Sequence, residues 1–219
     1  MKVNTDGVLL GALANSYSCG SILDIGTGTG VISLMLAQRY TDAIIDAVEI
    51  DLDAAQTAKN NFSNSRFHNR CTCYPLSFEQ FFAQHPDKKY DLIVSNPPFF
   101  INSLKSAAKS KEIARHTTTH FFDNLLASGK ASLKSNGSFC LILPVDIANT
   151  IIEKANTNNL YLNQKISIFS FETSSPHRRI LIFGNEETQI TNSNLVIYAA
   201  PKVYSEQYRL LLKDFLTIF

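Results

Sequence analysis

The sequence predicts an α/β protein built on a doubly wound, mostly parallel sheet with an antiparallel C-terminal edge. Three observations carry that prediction. Between residues 20 and 155, short apolar runs alternate with segments whose apolar residues recur three or four apart, the pattern of strands and amphipathic helices in turn. The first apolar run opens into a glycine-rich turn, Gly26-Thr27-Gly28-Thr29-Gly30, at the place where sheets of this kind bind ligands. Three late β-rich segments follow with no helix between them, whereas parallel neighbours require helical crossovers.

In chain order, Ser21 to Ile25 reads as a buried strand and Val31 to Arg39 as a helix burying Ile32, Leu34, Met35 and Leu36. Ala43 to Val48 is a second strand. Leu52 to Phe62 is a helix with Ala55, Ala58 and Phe62 on one face, preceded by Asp51, an acid suited to a helix N-terminus. Arg70 to Tyr74 is a weaker strand and Phe78 to Phe82 a short helix. Tyr90 to Ser95 is a clear strand ending at Asn96-Pro97-Pro98-Phe99. Residues 102–115 are polar and basic. Phe121 to Leu133 forms a helix with Phe122, Leu125, Leu126 and Leu133 inward, stopped by Ser135-Asn136-Gly137. Ser138 to Leu143 is the next strand and Ile147 to Ala155 the last predicted helix. The β-rich segments are Gln164 to Phe171, Arg179 to Phe183 and Leu195 to Tyr198.

With 219 residues, the chain is expected to form a single domain over 1–219. Hydrophobic residues make up 45% and charged residues 18%, which excludes a disordered chain. Twenty Lys and Arg against nineteen Asp and Glu give a net charge of +1, so any surface for a polyanion must be local. Cys19, Cys71, Cys73 and Cys140 form neither a disulfide framework nor a C-x-x-C pair, which fits reduced thiols in a cytoplasm. Cys71 and Cys73 fall on one strand face and read as core. His116 and His120 have the spacing of a metal pair but lack a third ligand, so no metal is expected. Val8 to Ala14 is apolar, yet Asp6, Gly7 and Gly11 argue against a signal peptide, and no run is long enough to span a bilayer.

In Leu23-Asp24-Ile25-Gly26-Thr27-Gly28-Thr29-Gly30, glycines let a ligand approach the backbone between strand and helix. A dinucleotide fingerprint would need glycine at Val31 or Ser33, and no Gly-Lys-Ser/Thr triplet marks a P-loop. The G-x-G-x-G form with Asp24 two residues ahead resembles motif I of class I S-adenosylmethionine-dependent methyltransferases. That resemblance implies a seven-stranded Rossmann-like sheet and cofactor contacts from Asp24, Gly26, Thr27, Gly28 and Gly30. It also implies that Glu49, nineteen residues beyond Gly30, accepts hydrogen bonds from the two ribose hydroxyls. Many relatives place an acid after the third strand for the cofactor's adenine amino group. Here Tyr74-Pro75-Leu76-Ser77 offers only Ser77 or a main-chain carbonyl.

Asn96-Pro97-Pro98-Phe99 resembles motif IV of methyltransferases acting on planar amino nitrogens. Such a nitrogen is a poor nucleophile because its lone pair is delocalised. Acceptors at the Asn96 side chain and the Pro97 carbonyl can hold both N–H groups and favour a pyramidal nitrogen. Two prolines fix φ and remove competing donors, and Phe99 supplies a stacking face. Asn4-Thr5-Asp6-Gly7, Ala114-Arg115-His116-Thr117, Pro176-His177-Arg178 and Tyr204-Ser205-Glu206-Gln207-Tyr208 further resemble the bacterial valine tRNA adenine-37 N6-methyltransferase family. That resemblance runs nearly end to end, except that family members carry a segment ahead of the Met-Lys-Val start, so the N-terminal segment is expected to be shortened. It implies S-adenosylmethionine as cofactor, tRNA as partner, no obligate protein partner, and Thr5 and Asp6 near the cofactor's methionine end.

Lys105, Lys109, Lys111 and Arg115 against Glu112 leave a local net charge of +3 after the catalytic turn, suited to phosphates around a flipped base or to a solvated helix face. Arg178 and Arg179 are a second candidate phosphate contact. Thr117 could cap the following helix or touch substrate. Three alternatives remain open. A guanine-N2 methyltransferase of ribosomal RNA also carries a Phe-ending motif, a protein glutamine-N5 methyltransferase shares Asn-Pro-Pro, and a silent cofactor- or RNA-binding domain would alter Asn96.

Overall fold

The computed structural model describes residues 4–16, 19–98 and 108–217, and for residues 108–118 it describes only the helical backbone. The leading strands and helices are β1 (Ser21–Ile25), α2 (Val31–Arg39), β2 (Ile44–Val48), α3 (Leu52–Ser63), β3 (Cys71–Tyr74), α4 (Phe78–Gln84) and β4 (Tyr90–Ser95), preceded by a helix α1 (Thr5–Leu13). They are followed by α5 (Ala108–Ser132), β5 (Leu133–Pro144), α6 (Val145–Thr157), β6 (Tyr161–Phe169), β7 (Pro176–Gly184) and β8 (Thr191–Val196). A small hairpin of β9 (Tyr198–Ala200) and β10 (Val203–Tyr204) leads to α7 (Glu206–Leu212).

The sheet order is β3-β2-β1-β4-β5-β7-β6-β8. Strands β1 to β5 are mutually parallel, while β7 runs against both β5 and β6, forming the antiparallel C-terminal part. The eighth strand, β8, lies outside β6 and parallel to it, extending the expected seven. Its first four residues, Thr191 to Asn194, are exposed and polar, as suits a sheet edge.

Alternation along the central strands builds two cores. Ile22, Leu92, Val94, Cys140, Ile142, Ile180 and Ile182 face α1, α2, α3 and α7. Leu23, Ile93, Phe139, Leu141, Leu181 and Phe183 face α4, α5 and α6. Strands buried on both sides read as continuous apolar runs, which is why β1, β4 and the strand portion 138–143 were legible. Cys71 and Cys73 pack in the first core. No described helix is long and apolar enough to cross a membrane.

Two helices depart from the expected pattern. The stretch Val8 to Ala12, which the sequence assigned to no element, is the body of α1, capped by the Asn4 side chain, which accepts from the Gly7 amide at 2.7 Å. α5 begins at Ala108, so Thr117 lies inside the helix and does not cap it. Helix-forming Ala, Lys, Glu and Arg from 107 onward, with no glycine or proline before Gly129, allow this earlier start.

Candidate active site

The order of the sheet reverses between β1 and β4, and a cavity of about 610 Å3 lies beyond the carboxyl ends of these strands. The glycine turn leaves β1, Glu49 follows β2, the 76–79 turn follows β3, and Ser95-Asn96-Pro97-Pro98 leaves β4; all four line the cavity. Asn4, Asp6 and Gly7 of α1 close one side and Phe121 of α5 another.

The turn after β1 holds three glycines, and Gly26 and Gly30 serve different steric ends. Gly26, Gly28 and Gly30 all have positive φ, at 72°, 58° and 85°. A Cβ on Gly26 would meet nothing within 4 Å, so its bareness keeps the cavity open. A Cβ on Gly30 would stand 2.5 Å from the Phe62 ring, so its bareness lets α2 pack on α3. Gly28 donates its amide to Glu49 Oε2 at 2.8 Å, and the Asp51 amide donates to Glu49 Oε1 at 2.9 Å. Each carboxylate oxygen keeps a lone pair for a further donor. Asp51 itself caps α3 by accepting from the Ala54 amide at 2.8 Å.

Asp24 and Gly30 lie behind the cavity surface, not on it. Asp24 is fully buried. Its Oδ2 accepts from the Thr27 hydroxyl at 2.6 Å and the Ser33 hydroxyl at 2.7 Å, whereas Oδ1 is buried without a partner. Burial pushes its carboxyl up to about 6 against the pull of those two hydroxyls. Ser95 ties the second half of the site to the first: its hydroxyl donates to the Ile25 carbonyl at 2.9 Å, bridging the ends of β4 and β1.

Ser77 lines the cavity and also caps α4, accepting from the Gln80 amide at 3.2 Å while the Ser77 amide donates to Gln80 Oε1 at 3.1 Å. Thr5 is exposed and lines no part of the cavity. Arg178 is half-buried and donates from Nε to Asp6 at 2.8 Å. Arg179 donates to the Asn149 side chain. Phe99 and Lys105 lie outside the described residues, as do the side chains of Lys109, Lys111, Arg115 and Thr117, whose backbone belongs to α5. Burial raises Cys71 and Cys73 to about 11 and Cys140 to about 12, so none presents a thiolate at neutral pH.

Sequence reasoning did not single out Ile50, Leu76, Phe78 and Phe121, which give the cavity its apolar wall. Ile50 is 71% exposed immediately beyond a strand end, and that placement, rather than its type, marks it as a ligand contact.

A parallel sheet of this order, with its cavity at the β1/β4 reversal and both motifs on its rim, defines a Rossmann-like class I methyltransferase fold. Solved structures agree on the fold. A predicted O-methyltransferase from Agrobacterium tumefaciens superposes with a TM-score of 0.74 over 95% of this chain and 96% of that one at 16% identity. A methyltransferase from Pyrococcus furiosus gives 0.56 over 81% and 80% at 19% identity. In sequence, the Methyltransferase small domain matches residues 4–165. The tRNA1(Val) (adenine(37)-N6)-methyltransferase of Pedobacter heparinus is 45% identical over 219 residues, 100% of this chain and 92% of that protein. Its Escherichia fergusonii counterpart is 38% identical over 216 residues, 98% and 88%. The chain belongs to the tRNA1(Val) (adenine(37)-N6)-methyltransferase family.

Proposed function

We propose that the protein transfers a methyl group from S-adenosylmethionine to the N6 amino group of an adenine in tRNA, at position 37 of valine tRNA, in the cytoplasm. The observation that carries this reading is the convergence of the glycine turn, Glu49 and Asn96-Pro97 on one cavity. Its volume lies in the range typical of small-molecule sites.

The residues present fit this cofactor, which when bound supplies an electrophilic methyl on a sulfonium centre. Glu49, pinned by two amides but with lone pairs to spare, would accept from the ribose hydroxyls. Ile50, Leu76 and Phe78 offer apolar faces to the adenine ring, with Ser77 at its edge. Asp24 beneath the turn places negative charge below a cationic ligand, while Asp6 on the cavity wall is paired with Arg178.

At the substrate end, the Asn96 side-chain oxygen and the Pro97 carbonyl accept the two N–H groups of the target amine. This holds its lone pair toward the methyl. A cofactor bound there would supply the methyl for the new N–C bond and retain the electron pair of the broken S–C bond, while Asn96 and Pro97 would hold the amine as its surplus proton passes to solvent. The base must leave its stack to reach Asn96, and Phe99, by its place in the motif, provides the face that receives it. Lys105, Lys109, Lys111, Arg115 and Thr117, which follow the motif in sequence, and Arg179 are the proposed contacts to flanking phosphates.

The test is to incubate the protein and its Asn96→Ala variant with labelled S-adenosylmethionine and unmodified tRNA, then identify the methylated nucleoside by mass spectrometry. N6-methyladenosine formed only by the intact protein, and lost when adenine 37 of a valine tRNA transcript is replaced, is the expected result. N2-methylguanosine, or no product on tRNA, would refute it.

A further inference from the structure

We propose that Arg178 is a positioning residue for the cofactor and not a contact to RNA: it fixes the first turn of α1 as part of the cavity wall. The inference rests on the methyltransferase reading.

α1 is held at both ends by arginines from elsewhere in the chain. Its middle lies close against α2, where Gly11 leaves room for Met35; a Cβ there would stand 2.9 Å from the Met35 sulfur. At its C-terminal end, Arg39 Nη1 donates to the Gly11 and Ala14 carbonyls at 2.9 and 2.7 Å, satisfying acceptors that the helix leaves open. At its N-terminal end, Asp6 accepts from Arg178 Nε at 2.8 Å. Arg178 Nη1 also donates to the carbonyl of His177 at 3.0 Å, so the guanidinium plane is fixed by two acceptors in different directions.

The pair joins residues 172 positions apart. Arg178 opens β7 and stands opposite Pro144 at the carboxyl end of β5 and Ile168 near that of β6. It therefore sits at the same end of the sheet as the cavity, and it reaches the one acidic residue of α1, which lines that cavity beside Gly7. The two side chains are 28% and 17% exposed, sheltered enough that solvent screens the pair only in part. An arginine in this setting has its charge neutralised by Asp6 and two of its donors committed to protein acceptors. Pairing with Asp6 weakens its pull on a phosphate. Its geometric effect is to keep Asn4, Asp6 and Gly7 against the cavity; without it, the first turn of α1 is free to fray, as helix ends do.

The experiment measures S-adenosylhomocysteine binding by calorimetry on the full chain without RNA, alongside steady-state KM values for S-adenosylmethionine and tRNA. Arg178→Met should weaken cofactor binding about tenfold or more, the usual effect of losing a sheltered charge-assisted hydrogen bond. It should raise KM for S-adenosylmethionine in parallel, with kcat at saturation and KM for tRNA moving less than about threefold. Arg178→Lys should recover part of the loss. Asp6→Asn should reproduce the loss, and the double variant should be no worse than the worse single, as expected of one coupled pair. Should Arg178→Met fail to fold, Arg178→Lys and Asp6→Asn carry the test, and unchanged cofactor affinity in both overturns the proposal. A raised KM for tRNA with a shallower salt dependence and unchanged cofactor affinity overturns it in favour of a phosphate contact. Wild-type protein that binds no S-adenosylhomocysteine would instead refute the methyltransferase reading, before any variant is compared.

Discussion

Asp24→Asn should stabilise the free protein at neutral pH while weakening cofactor binding. The carboxyl is fully buried and its pKa stands at about 6, against 3.8 for an ordinary aspartate. At about 1.4 kcal/mol per pH unit, ionising it in the folded state costs up to about 3 kcal/mol more than in the unfolded chain. Because the folded pKa is the higher one, the native state holds the proton more tightly. Stability is therefore greatest below the unfolded value and falls as pH rises from about 4 to about 6, then levels. Asparagine removes that loss, since its oxygen can still accept from Thr27 and Ser33, but it leaves an amide N–H2 facing the unpartnered Oδ1 position, at about 1–3 kcal/mol. The net expectation is up to about 2 kcal/mol of stabilisation at pH 8, and none or a loss at pH 4.5, where the wild-type side chain is already neutral. Urea unfolding of both proteins across this range reads it directly. Cofactor affinity, measured in parallel without RNA, should drop about tenfold in the variant, and in the wild type should fall as pH drops below about 6. A stability difference that does not change with pH between 4.5 and 8 would refute the assignment of a raised pKa to Asp24, and with it the charge proposed beneath the cofactor.

Three further outcomes are expected. Gly30→Ala adds a ring clash with Phe62 to the strain of positive φ and should cost about 3–4 kcal/mol, whereas Gly26→Ala, facing open space, should cost about 1–2 kcal/mol and chiefly impair cofactor binding; thermal unfolding should separate them by several degrees. Ser95→Ala removes the bridge to the Ile25 carbonyl and should lower kcat about tenfold with little change in tRNA KM, read in steady-state methylation assays. Asp46→Ala strands the buried Tyr90 hydroxyl, which donates to it at 2.8 Å, together with Lys88 at 2.6 Å; it should cost about 2 kcal/mol in urea unfolding, most of it from the buried hydroxyl, with cofactor affinity unchanged.

The doubly wound sheet was legible because its strands are buried on both faces. A run such as Phe139-Cys140-Leu141-Ile142-Leu143 has no other stable place than the middle of a covered sheet. The two motif turns were legible because their chemistry demands residue types that ordinary turns do not need. α1 was not, for a related reason: Val8, Leu9, Leu10 and Ala12 are all buried, so the helix has no polar stripe to betray its period, and its glycines serve packing instead of turns. β8 hid behind four exposed polar residues. The apolar wall of Ile50, Leu76, Phe78 and Phe121 did not stand out, because residue type does not distinguish a side chain facing a cavity from one facing another helix. The pairing of Arg178 with Asp6 was not legible because its acceptor stands 172 residues earlier in the chain.

What the sheet adds to these motifs is registration. The Gly26 and Thr27 amides both donate to the Val48 carbonyl, at 2.9 and 3.1 Å, which locks the start of the glycine turn to the end of β2. Glu49 returns that contact through the Gly28 amide, and its own amide donates to the Tyr74 carbonyl at the end of β3. Ser95 then fastens the end of β4 to Ile25. Four strand ends are thereby tied in sequence across the sheet, from Glu49 through the glycine turn to Asn96. Transfer between two bound groups requires their reacting atoms to be held within a few tenths of an ångström, and flexible loops do not hold that tolerance. A ligand cavity framed by hydrogen-bonded strand termini does.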